Sequence, residues 1–326
     1  MKFAIIGTSS AAARHARAIN HIRGSHVVAV CGSSKEHTDS FAKKYHITKS
    51  YTNVDRLYQN EKPDAVIIAN IPSKHYSAIV KAAEYVKILI VEKPIVVTNK
   101  EVKLVKKLVK TKKCSISVVY QKRYSKTYRL LRNRVARNIT NINYLNLSFS
   151  EYRRPPYFAG HRSWLKNWKS SGGGVLMQQG IHWINMLGSL FDYDFEIKSA
   201  KASFDNGLET EDSVAVSLLA KKHITCNLFF TRASTTHLTN LCVYGKGFTY
   251  EIEGSRFTKR IPRNTLPAIN AILNRVLLKF ILVTNFGLTE YRKFLTDVIS
   301  KNTNKLTSVF LEDALKDILL INKIYE

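Results

Sequence analysis

Acidic residues are the scarce class in this 326-residue chain: 24 Asp and Glu stand against 51 Lys and Arg, a formal net charge of +27. A surplus of that size favours anionic partners, whether small substrates, an anionic membrane surface or nucleic acid. No nucleic-acid motif accompanies the charge, so specific nucleic-acid binding ranks last. Cysteine is sparse as well. Cys31, Cys114, Cys226 and Cys242 lie far apart with no Cys-x-x-Cys pairing. That spacing argues against a disulfide framework and a zinc site, so no metal is expected, and the thiols fit a reducing, cytoplasmic setting. The strand pattern that starts at Met1 leads us to expect no targeting segment. Internal repeats and low-complexity linkers are also missing. Pro267 to Val283 is apolar at helical spacing, but Arg275 and Lys279 interrupt it and it is too short to span a bilayer comfortably. It reads as a core or dimer-packing helix, with an interfacial membrane helix as the alternative.

What is present is a globular composition, 45% hydrophobic, on a length sufficient for two domains. Apolar runs at Phe3–Gly7, His26–Cys31, Asp64–Ala69, Lys87–Val91 and Ser115–Tyr120 alternate with helical patterns. Strands apolar throughout and separated by helices indicate a parallel sheet covered on both faces, a doubly wound Rossmann-type domain over residues 1–120. After a basic helix from Tyr124 to Arg137 the rhythm changes. Short alternating stretches between Ile142 and Ile252 predict a mostly antiparallel sheet, interrupted by one long helix after Gly172-Gly173-Gly174. Residues 121–326 are therefore expected to form an α+β domain for substrate binding and oligomerisation, whose last helix can pack back on the first. Lys100 to Arg137 holds 14 basic residues and one acid, Glu101. It reads either as a solvated outer surface or as a face that attracts anionic substrates, an anionic membrane or, last in rank, nucleic acid.

Gly7-Thr8-Ser9-Ser10-Ala11-Ala12 follows the first strand, in the place of a dinucleotide-binding G-x-G-x-x-G/A loop. Gly7 permits the turn and Ala12 is suitably small. Ser9 replaces the second glycine; its hydroxyl can reach a phosphate, but it crowds the approach. At the end of the second strand Cys31-Gly32-Ser33-Ser34-Lys35 offers no acid for a ribose 2′-hydroxyl. That turn leans towards NADP over NAD, unless Ser33 and Ser34 only cap the next helix. Glu92-Lys93-Pro94 closes the fourth apolar run, where open α/β sheets place their ligands. Gln178, His182 and Asn185, spaced i, i+4 and i+7, predict one face of a helix.

In this register the chain resembles the glucose–fructose oxidoreductase/inositol dehydrogenase (Gfo/Idh/MocA) family over most of its length. The likeness rests on Ala4–Gly7, His15, Phe41–Tyr45, Asp64–Ala69, His75 and Val91-Glu92-Lys93-Pro94. It continues in Tyr120–Arg123, in Gly172-Gly-Gly-Val-Leu-Met-Gln-Gln-Gly-Ile-His182 and in the closing Ile321–Tyr325. The resemblance implies an oligomeric, nicotinamide-dependent oxidoreductase that moves hydride to or from a hydroxyl-bearing carbon of a sugar or nucleotide-linked sugar. It implies Asn70, His75, Glu92 and Lys93 beside the cofactor. It also implies Lys93 on the reacting hydroxyl, His182 as acid–base partner, and Gln178 at a position where the family often has Asp. An amide there cannot take a proton, and His182 lacks a carboxylate to stabilise its charged form. A second reading therefore stays open: a catalytically weakened or regulatory cofactor-binding protein. Tyr120, Arg123, Arg162 and Trp164 are the remaining substrate candidates. The stretch Arg153 to Trp168, rich in arginine and aromatics, suits an anionic ring-bearing ligand or else simple packing.

Overall fold

Apolar runs become strands wherever both faces of a sheet can be covered. The computed structural model describes residues 1–153, 155–205, 207–254, 256–261, 288–302 and 308–326. The helix expected at Pro267–Val283 lies outside them. Contacts divide the chain into two units. The first comprises Met1–Tyr124, Lys169–Gly172 and the described part of Asn285–Asn322; the second comprises Ser125–Trp168, the described part of Gly173–Thr284, and Lys323–Glu326.

The first unit contains β1 (Lys2–Ile6), β2 (His26–Cys31), β3 (Lys49–Tyr51), β4 (Ala65–Ile68), β5 (Ile88–Val91) and β6 (Ser115–Val118). All pair in parallel, in the order β3-β2-β1-β4-β5-β6. The strand order reverses between β1 and β4, the switch point beside which such sheets hold nucleotides. Strand β3 was not legible in the sequence, because Lys49-Ser50-Tyr51 is a short, partly exposed edge with no apolar run. The helix Val54–Glu61, capped by Asn53, is likewise not among the expected elements. The helix Asn99–Lys112 opens on a capping box between Thr98 and Glu101 and buries Val102, Val105 and Leu108. Its lysines at 100, 103, 106, 107 and 110 stay exposed. Late in the sequence the chain returns to this unit. Tyr291, Phe294, Leu295 and Val298 of the helix Leu288–Lys301 are apolar on one side and complete the core around Phe3, Ile5, Ala12, Ile67 and Ile90. Val309 then borders β6, accepting from Val118 N at 2.9 Å.

The second unit holds a seven-stranded sheet. Its strands are β7 (Ile142–Tyr152), β8 (Phe195–Ser203), β9 (Ser213–Ala220), β10 (Ile224–Thr231), β11 (Ala233–Gly245), β12 (Phe248–Glu253) and β13 (Arg256–Arg260). Their order is β13-β12-β11-β7-β10-β9-β8, antiparallel except for the β7–β10 pair. Alternation is clearest in β9, where Val214, Val216, Leu218 and Ala220 are buried. Strand β13, carrying Arg256, Lys259 and Arg260, is too charged to have been expected. No described helix is long and apolar enough to cross a membrane.

A buried ion pair fixes the end of this sheet from which the loop after β7 departs. Arg232 Nε donates to Asp212 Oδ1 at 2.8 Å, and Nη2 donates to the carbonyl and hydroxyl of Thr210 at 3.2 and 3.0 Å. The backbone of Arg232 donates to Asp212 O and accepts from Arg153 N, both at 2.9 Å. Removing the cation strands a buried carboxylate, so Arg232→Met is expected to lower the unfolding free energy by about 3–5 kcal/mol. Urea unfolding measures this; a change below about 1 kcal/mol would give the pair no more weight than an exposed one.

Candidate active site

The end of β1 is built for close approach. Gly7 has φ +110°, and a Cβ there would lie 2.6 Å from Ala69 O, so only glycine fits. Ser9 caps the helix Ser10–Ile19, its Oγ accepting from Ala12 N at 3.2 Å and donating to Ala69 O at 2.8 Å. The hydroxyl expected to reach a phosphate thus ties the loop to the end of β4. Ser10 starts the helix, Ala12 is buried, and the first turn carries no acid. The positive helix end is therefore left to an anion. Ser34 caps the helix Lys35–Lys44, while Ser33 sits in the turn before it and the exposed Lys35 pairs with Asp39 at 2.9 Å. Beyond β4, the side-chain oxygen of Asn70 is buried with no partner among the described residues. It is an acceptor suited to an amide N–H. Small loop residues, an acid-free helix start and this waiting acceptor fit a nicotinamide dinucleotide.

Lys93 follows β5 in a turn pinned at both ends. Glu92 is 6% exposed, and its Oε1 meets His15 Nε2 at 2.9 Å and accepts from the hydroxyl of Tyr291 at 3.0 Å. Its Oε2 accepts from Lys93 N at 3.3 Å. Burial pushes this carboxyl upward, but His15, Lys93 and Tyr291 together outweigh it and hold the group below the ordinary value. At the other end, His75 Nδ1 lies 2.8 Å from Pro94 O and Nε2 lies 3.1 Å from Asn70 O. Burial lowers the pKa of His75, which favours the neutral ring; the shorter contact is then the N–H donor. Lys93 itself is half-buried. Tyr120 is buried, with its ring edge-on to Phe310 at 6.4 Å. Arg123 donates to Asp313 at 2.6 Å and lies over Phe310 at 4.6 Å.

In the second unit, the glycine run has a packing reason. Glu211 is fully buried; its Oε2 accepts from Gly174 N at 2.6 Å, and its Oε1 accepts from Leu176 N at 3.0 Å and from the Tyr325 hydroxyl at 2.8 Å. Met177 N donates to the same Tyr325 oxygen at 3.2 Å. A Cβ on Gly173 would overlap Tyr325, and one on Gly174 would overlap Glu211. A carboxylate at a helix start is favourable, yet burial pushes Glu211 above the ordinary carboxyl value despite these donors. The chain then makes a π-helical turn, Leu176–Gly180, before the α-helix Ile181–Phe191. The single long helix expected after the glycine run is therefore a π turn followed by an α-helix. His182 and Asn185 keep α-helical spacing, whereas Gln178 stands in the π turn and donates to Gly173 O at 3.0 Å. His182 is 5% exposed, and Asn185 donates to the Tyr193 oxygen at 3.3 Å. Arg162 and Trp164 lie half-buried in the short helical loop Gly160–Lys166.

Two family models cover these units. Residues 1–120 match the oxidoreductase family with an NAD-binding Rossmann fold, and residues 128–256 match the GFO/IDH/MocA C-terminal domain. The chain belongs to the Gfo/Idh/MocA oxidoreductase family. It is 26% identical to glucose-6-phosphate 3-dehydrogenase of Bacillus subtilis over 220 residues, 66% of this chain and 61% of that protein. It is 30% identical to inositol 2-dehydrogenase/D-chiro-inositol 3-dehydrogenase of Lacticaseibacillus casei over 139 residues, 41% of this chain and 40% of that one. The matches thus span less than two thirds of either relative. Among solved structures, the WlbA dehydrogenase of Bordetella pertussis, in complex with NADH and UDP-GlcNAcA, superposes with a TM-score of 0.84. That comparison covers all of this chain and 94% of the other at 16% identity, a likeness of fold.

Sequence reading of this Gfo/Idh/MocA chain missed Tyr291, Glu211 and the part played by Tyr325. Nothing local marks them, since their partners lie 199, 35 to 37 and 114 residues away. Because the folded pKa of Glu92 is depressed, its contribution is present above the unfolded carboxyl value and is lost as pH falls through the folded one. Glu92→Gln is expected to cost about 3–5 kcal/mol at neutral pH. The gap from wild type should narrow below about pH 4. Urea midpoints recorded from pH 7 downward measure it; a gap that does not change with pH would show that the ionised form is not the one the fold selects.

Proposed function

We propose that this chain is an NAD(P)-dependent dehydrogenase or reductase acting at a hydroxyl-bearing carbon of a sugar or nucleotide-linked sugar. The observation that carries the reading is the pinned turn presenting Lys93 at the end of β5 in an NAD-binding fold. Substrates named for its relatives, a sugar phosphate, inositols and a nucleotide-linked sugar acid, support the substrate class. Gly7, Ser10, Ala12, Ser33, Ser34, Lys35 and Asn70 are the residues that would hold the dinucleotide. The acid-free turn at Ser33–Lys35 favours the 2′-phosphorylated form.

When bound, the nicotinamide supplies or accepts the hydride. The Lys93 ammonium group hydrogen-bonds the reacting oxygen and lowers the cost of its alkoxide character. His182 takes the hydroxyl proton in oxidation and returns it in reduction. Gln178 cannot hold that proton; it fixes the backbone of Gly173 and orients the helix that carries His182. One observation favours a second reading, a weakened or regulatory protein: with its amide engaged by Gly173, Gln178 gives His182 no carboxylate. Assembly as a homo-oligomer belongs to the first reading and is supported by the exposed Phe229 and Tyr244 on the second sheet. A reducing, cytoplasmic setting is supported by four buried cysteines without disulfides.

NADPH is expected to raise the melting temperature more than NADH does, and a panel of sugars, sugar phosphates and nucleotide sugars to yield a change in nicotinamide absorbance. Lys93→Ala should cut turnover at least about 100-fold while leaving cofactor affinity unchanged. Folded protein that responds to neither cofactor nor panel would refute the enzyme reading.

A further inference from the structure

No acidic residue occurs between Glu151 and Asp192, a stretch that contains Arg153, Arg154, Arg162, Lys166 and Lys169. Within it the structure gathers charge onto one ring. The guanidinium carbons of Arg153 and Arg162 each lie 4.4 Å from the ring centroid of Tyr157. The two cations can therefore be no farther apart than twice that distance. Tyr157 in turn stands edge-on to the buried Phe158 at 5.2 Å, and the buried Arg232 covers Phe158 at 4.7 Å. Each outer arginine of this series of rings and cations has a carboxylate: Arg153 meets Glu151 at 2.6 Å and Arg232 meets Asp212 at 2.8 Å. Arg162 meets no carboxylate among the described residues. The Nε of Arg153 is buried without a partner among them as well.

Two guanidiniums brought to one half-buried ring repel each other, and the attraction of the ring only partly offsets this. An arrangement with an uncompensated cation and an unused donor is completed by an anion that accepts several N–H bonds in a plane. Because the charge of the cluster comes from arginine, phosphate oxygens fit it better than a neutral hydroxyl does.

We propose that Arg153, Tyr157 and Arg162 form a phosphate subsite, so that the substrate is a phosphorylated sugar rather than a free one. This rests on the dehydrogenase reading for the word substrate, but not for the binding itself. Tyr157 orders the two guanidiniums, Arg162 carries the net charge, and Arg153 adds its free Nε–H. A sugar phosphate monoester and the diphosphate of a nucleotide sugar share the chemistry that the subsite recognises.

Titration calorimetry with glucose 6-phosphate, UDP and glucose, each in saturating NADH so that UDP is kept from the dinucleotide site, tests the proposal on the full chain. Glucose 6-phosphate or UDP is expected to bind while glucose does not, with affinity falling as salt is raised. Arg162→Gln should weaken that binding by at least about tenfold and leave NADH affinity and melting temperature unchanged. Tyr157→Leu, should it remain folded, is expected to weaken it too. Tighter binding of UDP assigns the diphosphate source, and tighter binding of glucose 6-phosphate the monoester. Equal affinities in wild type and Arg162→Gln, or no phosphate binding by folded wild type, would overturn the subsite. Arg162-dependent phosphate binding without redox chemistry on any sugar would remove the dehydrogenase reading and keep the subsite. Turnover of free sugars with no response to Arg162→Gln would do the reverse.

Discussion

A carboxylate taken out of water is the constraint on which the first unit depends. Glu92 is buried beside the lysine proposed for catalysis, and an ion in that position is tolerated only when its lone pairs are met. They are met from three directions. His15 comes from the helix behind the phosphate loop, Lys93 N from the turn itself, and the Tyr291 hydroxyl from a helix 199 residues later. The return of the chain to the first sheet thereby completes the core and supplies a donor without which the Glu92–Pro94 turn would hold an under-satisfied charge.

The second unit repeats the device. Glu211 gathers the backbone N–H groups of Gly174 and Leu176 at the start of the helical segment bearing His182, and Tyr325 donates to it. In both units a residue proposed for chemistry sits on backbone anchored by a buried glutamate and a tyrosine hydroxyl. Both tyrosines lie in the last 36 residues of the chain. Rigid backbone matters here because proton and hydride transfer depend steeply on the separation of the reacting atoms. Long side chains such as Lys93 are held in place by what surrounds their backbone.

The sequence made the architecture legible because apolar runs and their spacing are local. Val66-Ile67-Ile68 and Leu89-Ile90-Val91 announce buried strands, and Gly7 announces a turn that only glycine can make. Lys49-Ser50-Tyr51 carries no such pattern, so an edge strand went unread. The site was legible in part for the same reason. Lys93 and His182 lie in motifs, whereas Tyr291 and Glu211 act through contacts that no window of sequence contains. The helix carrying His182 shows a third kind of limit: its sequence reads as one α-helix, but the structure opens it with a π-helical turn at Leu176–Gly180, and nothing in Leu-Met-Gln-Gln-Gly forecasts that.

The anchoring of Glu92 is proposed to set the position of Lys93. The most direct measurement is the single-turnover rate of nicotinamide reduction in wild type and in Tyr291→Phe. It uses whichever sugar supports turnover, at saturating cofactor. Loss of one hydroxyl donor to Glu92 is expected to slow that step by about tenfold or more while cofactor affinity stays as it was. An unchanged rate in a variant that has lost the Tyr291 hydroxyl would contradict the claim.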